Sequence, residues 1–312
     1  MLLKTLQKPV FFALLLLGMR GMLLAQKGYK LEFGGVLGIS NYLGEIGGKD
    51  EAARPFIFDM KMAKTRWNPG VFVKYQFHPM LAIKGSFNYL RIEGEDALCT
   101  NPGRHYRNLS FRNDIYELNT TLNWLFFNPS RPSGIYRRSS IYLTAYLFAG
   151  VGGFMHNPKA KYQGEWIDLR PLKTENTQYG KFSFCIPVGT GFYITINQRR
   201  RSHRIGLEVN WRYTGTDYLD DISKGSWENP NSQSNLSAAL ANRNPELGSA
   251  QPDSFEKNYG WWDDGSGNNI NKSPRGDPKN KDSYITLNVT YGYSFKAKFN
   301  RSKGRKIRSV TF

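Results

Sequence analysis

The sequence predicts an all-β protein: an eight-stranded antiparallel transmembrane barrel of the outer-membrane type, with long extracellular loops and short periplasmic turns. Three observations predict it. Eight segments alternate apolar and polar residues, each about as long as a tilted membrane strand must be. The connections between them alternate long and short, as they do in such barrels. Mean hydropathy is −0.53, and no stretch after residue 25 reaches the ~20 apolar residues of a membrane helix.

The N-terminus differs from the rest. Lys4 and Lys8 precede the apolar run Val10 to Leu17, and Ala25 offers a small residue before Gln26. Residues 1–25 therefore read as a secretory signal peptide, with an uncleaved anchor as the alternative. No Cys lies near the cleavage point, so a lipoprotein anchor is not indicated. The barrel is expected over 26–295 and a basic periplasmic tail over 296–312.

The first strand places Tyr29, Leu31, Phe33, Leu37 and Ile39 on one face, followed by a loop over 40–66. The second runs from Val71 to Phe77 and turns tightly at His78-Pro79-Met80. The third carries Leu81, Ile83, Phe87 and Tyr89 opposite Lys84, Ser86 and Asn88, and a second loop covers 91–112. The fourth sets Tyr116, Leu118, Leu122, Trp124 and Phe126 against Glu117, Asn119 and Asn123. After a turn with Pro129, Pro132 and Gly134, the fifth runs from Ile141 to Phe154, and a third loop covers 155–180. The sixth, Phe182 to Ile196, contains Pro187, which suggests a kink or bulge. The seventh puts Ile205, Leu207, Val209, Trp211 and Tyr213 on one face and Glu208, Asn210, Arg212 and Thr214 on the other. The longest loop, 215–282, precedes an eighth strand around Ile285 to Phe295.

Closing such a sheet satisfies its backbone groups in lipid. The apolar faces then meet lipid, while Lys84, Glu117, Glu208 and Arg212 point inward, where Glu208 and Arg212 are candidates to pair. Trp67, Trp124, Trp211, Tyr293 and Phe295 lie at strand ends and suit interfacial girdles. A soluble sandwich or a lipocalin-like barrel also gives short alternating strands. The alternating loop lengths favour the membrane. Eight strands enclose a space that side chains fill, so a general diffusion pore is not expected.

Charge is sorted by this topology. The chain carries a formal +18. Fourteen basic residues and no acid fall in three segments at the predicted periplasmic end. These are Arg131, Arg137 and Arg138; then Arg199, Arg200, Arg201 and Arg204; then a tail that includes Lys303, Arg305 and Lys306. Such a rim attracts acidic surfaces, whether anionic lipid headgroups or a periplasmic protein. Nucleic acid is disfavoured because the chain is exported.

Chemistry is sparse. His78 and His203 sit in turns, and His105 and His156 in outer loops, with no matching nucleophile motif. No catalytic, cofactor or metal residues are assigned, and the expected role is not enzymatic. Asp217, Asp220 and Asp221 form an acidic knot that offers carboxylates to calcium. It lacks EF-hand spacing, and Asp is also common at turns. Cys99 and Cys185 are left open between a bridge and free thiols.

Four motifs carry a family likeness: Tyr42-Leu-Gly-Glu45 with Gly47-Gly-Lys-Asp50, Phe77-His-Pro-Met80, Asn108 to Glu117, and above all Trp211-Arg212-Tyr213-Thr-Gly-Thr-Asp217-Tyr218-Leu219-Asp220-Asp221-Ile-Ser223. Over about 28–295 the chain resembles the PorG family of Bacteroidota outer-membrane barrels, which belong to the type IX secretion system. That likeness implies a structural component that ties a periplasmic PorK and PorN ring to the outer membrane during protein export, and in some relatives supports gliding. The alternative expectation is a barrel that binds a small ligand or surface partner through its outer loops.

Overall fold

The computed structural model describes residues 30–46, 62–99, 102–128, 141–198, 201–224, 232–250, 275–276 and 280–296. Its strands are β1 (Lys30–Leu43), β2 (Arg66–His78), β3 (Leu81–Glu95), β4 (Ser110–Phe127), β5 (Ile141–Met155), β6 (Pro158–Tyr162), β7 (Glu165–Asp168), β8 (Phe182–Gln198), β9 (Arg201–Thr214) and β10 (Ser283–Lys296). Two short helices, α1 (Pro102–Arg107) and α2 (Asn235–Ala241), lie in the loops.

Eight strands form one closed antiparallel barrel, in the ring order β1-β2-β3-β4-β5-β8-β9-β10. The seam is the β1–β10 ladder, which runs from Lys30↔Lys296 to Leu43↔Ser283. The remaining two strands make a hairpin, and β6 hooks it to the end of β4 at Arg112↔Lys159. Connections are short at one end of the barrel and long at the other.

Alternation decides which side chains face out. On β9, Ile205, Leu207, Val209 and Tyr213 are exposed, while Glu208, Asn210, Arg212 and Thr214 are buried. β4 repeats this with Tyr116, Leu118, Leu122, Trp124 and Phe126 outside and Glu117, Asn119, Thr121 and Asn123 inside. The outward run from Tyr116 to Phe126, at about 3.4 Å per residue and a tilt of about 40°, covers roughly 26 Å, the height of an outer-membrane apolar band. Trp67 and Trp124 are half exposed near opposite ends of that band.

The interior is polar and bridged. Lys84 on β3 donates to both carboxylate oxygens of Glu208 at 2.7 Å, and β9 lies diametrically opposite β3. Tyr146 on β5 donates to the same carboxylate. Nearer the short-turn end, Arg204 donates to Glu32, and Lys74 approaches that carboxylate at 3.4 Å. A Cβ at Gly292 would meet Glu32 Oε1 at 2.1 Å, so this carboxylate needs a glycine beside it. Toward the loop end, Glu117 accepts from Arg212 at 2.7 Å and from Tyr284. Above that layer the interior turns apolar, with Tyr42, Leu90, Ile92, Phe111, Ile115, Leu219 and Ile222 packed together. Planar-bilayer recordings of the full chain are therefore expected to lack porin-sized conductance steps. Steady large openings would mean that this bridging breaks in the membrane.

Several expectations need correction. β1 extends past Ile39 to Leu43, and β2 begins at Arg66, so the first loop is shorter than 40–66. The loop expected over 91–112 is shorter at both ends, because β3 continues to Glu95 and β4 starts at Ser110. The loop 155–180 holds the β6–β7 hairpin, and 215–282 contains α2. Pro187 makes no bulge: β5 and β8 keep one register on both sides of it, from Ala149↔Val188 to Gly152↔Cys185. Glu208 and Arg212 do not pair with each other. Each takes a partner across the lumen, because residues four apart on a strand lie too far along it. The question left open for Cys99 and Cys185 resolves as two buried cysteines with no disulfide between them. The signal peptide and the tail beyond Lys296 lie outside the described residues.

Candidate functional site

The long-loop end holds the densest set of chemistry-bearing groups. β9 stops at Thr214, where Gly215 N–H turns back to the Phe184 carbonyl at 2.9 Å. The chain then folds into the barrel mouth instead of leaving it. Leu219 and Ile222 insert among the interior apolar residues, and Asn113 holds the Leu219 carbonyl at 2.8 Å. Asp220 accepts from Ile222 N–H at 3.0 Å, a local turn bond. Asp221 adopts a left-handed backbone (φ 71°), which Asp tolerates better than most residues.

Four carboxylates meet here. Tyr42 Oη contacts Asp220 Oδ2 at 2.8 Å and Asp282 Oδ1 at 2.5 Å. Leu219 N–H donates to Asp282 Oδ2 at 2.9 Å, and Ser223 O–H donates to Asp217 at 2.7 Å. One carboxylate oxygen from each of Glu45, Asp217 and Asp282 lies within 4.8 Å of the others. An all-oxygen set of this kind could hold a hard divalent cation. Protons offer another route to neutrality. Burial, then the charges of Asp220 and Glu45, push the Asp282 carboxyl well above the usual range. Burial, then Glu45, do the same to Asp220. One tyrosine hydroxyl between two carboxylates has a single proton to give, so an added proton relieves the pair.

A second ring of contacts fixes the loops around this cluster. Asp221 accepts from the hydroxyls of Thr174 and Tyr179, and burial raises its pKa to about 6. Glu175 accepts from Ser223 N–H and Lys224 N–H and pairs with Arg275. Arg107 forks onto Asp96 at 2.7 and 2.9 Å and reaches the Glu45 carbonyl at 2.9 Å. Together these contacts tie four loops into one cap over the barrel.

The expected site residues divide sharply. Arg212 faces inward, Tyr213 outward, and Asp217, Leu219, Asp220 and Asp221 are buried in the cap. Tyr218 stacks on Tyr179 with centroids 4.5 Å apart. Arg201 opens β9 at the short-turn end and is exposed. Arg204 does not belong to that rim. It shares the inward phase of Glu208 and Arg212, is 4% exposed, and bonds Glu32 inside the barrel. Arg131, Arg137, Arg138, Arg199, Arg200, Lys303, Arg305 and Lys306 lie outside the described residues. The four histidines stand apart: His78 accepts from Met80 N–H, His105 packs on Tyr106, His156 stacks on Tyr179, and His203 contacts Tyr291.

Sequence reasoning missed Asp282 and the meeting of Glu45 with Asp217. A usable signal existed. A closed barrel must set its first strand beside its last, so the loop ends of β1, β9 and β10 converge.

A family model described as a domain of unknown function, DUF6089, matches residues 8–244. The chain belongs to the DUF6089 family. That match takes in β1 to β9 and the whole knot, and ends before β10 with its Tyr284 and the preceding Asp282. Among solved structures, the DUF6089 chain is similar to Ail, the attachment invasion locus protein of Yersinia pestis. Identity is 10%, coverage 86% of this chain and 100% of that one, and the TM-score 0.34. It is also similar to Neisserial surface protein A, at 9% identity, 87% and 100% coverage and a TM-score of 0.32. CarO2 of Acinetobacter baumannii follows at 9% identity, 86% and 99% coverage and a TM-score of 0.21. At such scores the barrel assignment rests on this chain's own strand pairing. No curated protein matches the DUF6089 chain.

Proposed function

We propose that this protein is a non-enzymatic structural barrel of the outer membrane that ties a periplasmic ring of the PorK and PorN type to that membrane in type IX secretion. The observation that carries the structural role is the bridged lumen. Lys84–Glu208 and Glu117–Arg212 cross the interior, which leaves the barrel as an anchor and not a conduit. The exposed apolar band supports residence in a membrane, since a soluble protein rarely shows so large a patch. The motif likeness at Trp211 to Ser223 supports the choice of secretion system. The positive segments adjoin the short turns, and exposed Arg201 lies at that end. A cationic rim speeds docking to an acidic partner.

A pull-down from detergent extracts tests this. Periplasmic ring proteins are expected to co-purify with the full chain. Deleting 297–312 or replacing Arg199, Arg200 and Arg201 by Gln is expected to cut their recovery severalfold. Unchanged recovery in both variants removes the basic rim from the proposal, and absence of ring proteins from the wild-type sample removes the assembly itself.

A further inference from the structure

Outside the cap, one crevice of about 240 Å³ opens on the barrel wall where β4, β5 and β8 reach the loop end. Its lower lining is Tyr116 and Met155, which face outward and pair across the β4–β5 ladder. Its upper lining includes His156, Lys159 and Lys181. The crevice thus straddles the line where the apolar band ends. Just below it, Phe182 is 71% exposed and Phe184 59% exposed.

The walls are built. His156 N–H donates to the Lys181 carbonyl at 2.9 Å, and Asn157 N–H to Asn113 Oδ1 at 3.0 Å. The acid at the edge, Asp114, is already engaged by Arg91 at 2.6 Å, Arg112 at 3.0 Å and Tyr89 at 2.6 Å. Lys159 leans on Asp168 at 3.0 Å, and no acid pairs with Lys181 among the described residues. Arg91, Arg112, Lys159 and Lys181 therefore outweigh Asp114 and Asp168. The His156 ring is 1% exposed. The Gly180 backbone is in reach of it, yet neither ring nitrogen completes a well-formed hydrogen bond. Burial holds its pKa down to about 4, so the ring is neutral and keeps one N–H to give.

We propose that this crevice binds the phosphate-bearing headgroup of a membrane lipid, whose acyl chains lie down the wall past Phe182 and Phe184. Phosphate suits the site because it offers several acceptor oxygens to the ammonium groups of Lys159 and Lys181. A lipid suits it better than a free anion because the crevice floor is continuous with the apolar band. The proposal rests on the membrane-barrel part of the function above and not on the periplasmic assembly, so either can fail alone.

The test uses the full chain in neutral detergent and reads lipid adducts by native mass spectrometry. Diphosphoryl lipid A, its dephosphorylated form and inorganic phosphate are titrated separately. The phosphorylated lipid is expected to bind at least about tenfold more tightly than the dephosphorylated one. Lys159→Gln with Lys181→Glu is expected to erase that preference, while Lys64→Gln, which removes a cation paired with Glu95 and outside the crevice lining, leaves it intact. Equal binding of the two lipids overturns the proposal, as does a preference that survives the lysine changes. Inorganic phosphate binding as tightly as the lipid replaces it with a free-anion site. Should the double variant fail to fold, Lys181→Glu at its exposed position and the wild-type comparison decide alone.

Discussion

Replacing Arg212 by Leu is expected to cost the barrel about 3–5 kcal/mol, the usual penalty for stranding one member of a buried ion pair. Arg212 is 1% exposed and Glu117 0%. The Glu117 carboxylate also gathers Tyr284, Asn119 and Asn88, so its removal and the removal of its cation are different experiments. Arg212→Leu leaves a charge facing Tyr284 and two amides. Glu117→Gln with Arg212→Leu leaves only neutral groups and is expected to recover most of the loss. Urea unfolding in detergent, followed by the gel mobility of folded barrel, measures both. A loss under about 1 kcal/mol for Arg212→Leu would mean that the carboxylate is compensated by other means. An equal loss in the double variant would mean that packing, not charge, sets the cost.

Acidification from pH 7 to 4 is expected to stabilise the cap through Asp221. Its folded pKa is about 6 against an ordinary 3.8, so the folded state binds the proton more tightly. The resulting stability is fully present below about 3.8 and is lost as the pH rises through about 6. The difference amounts to about 3 kcal/mol at most. Asp220 and Asp282 shift in the same direction and extend the trend upward. Asp221→Asn keeps a residue that accepts the left-handed backbone while removing the titration. Protease cleavage of the outer loops, measured as a function of pH in wild type and variant, isolates this residue from all others. Coincident pH profiles would exclude Asp221 as the titrating group.

Lipid outside and polar groups inside imposed a period of two over long runs, and that made the eight barrel strands legible. The strand ends were not legible, for a related reason. Above the band the phase continues, but the chemistry changes sides. Lys84, Ser86 and Asn88 face inward on β3, and so do Leu90 and Ile92, while outward positions pass from Phe87 to Arg91 and Glu93. Phe111 and Ile115 reverse β4 in the same way. Read with one fixed rule, such stretches look like loop. Arg204 was lost to the opposite error, because its basic neighbours outweighed its parity with Glu208. The knot was visible as acid, but Glu45 and Asp282 join it only through closure of the ring.

The Lys84–Glu208 bridge joins residues 124 positions apart, from strands on opposite sides of the ring. Neither charge has its mate until the β1–β10 seam shuts. A half-built sheet entering hydrocarbon would carry a bare ammonium on one part and a bare carboxylate on another. Pairing across the lumen thereby couples the burial of these two charges to closure of the ring, which favours the sealed barrel over an open sheet.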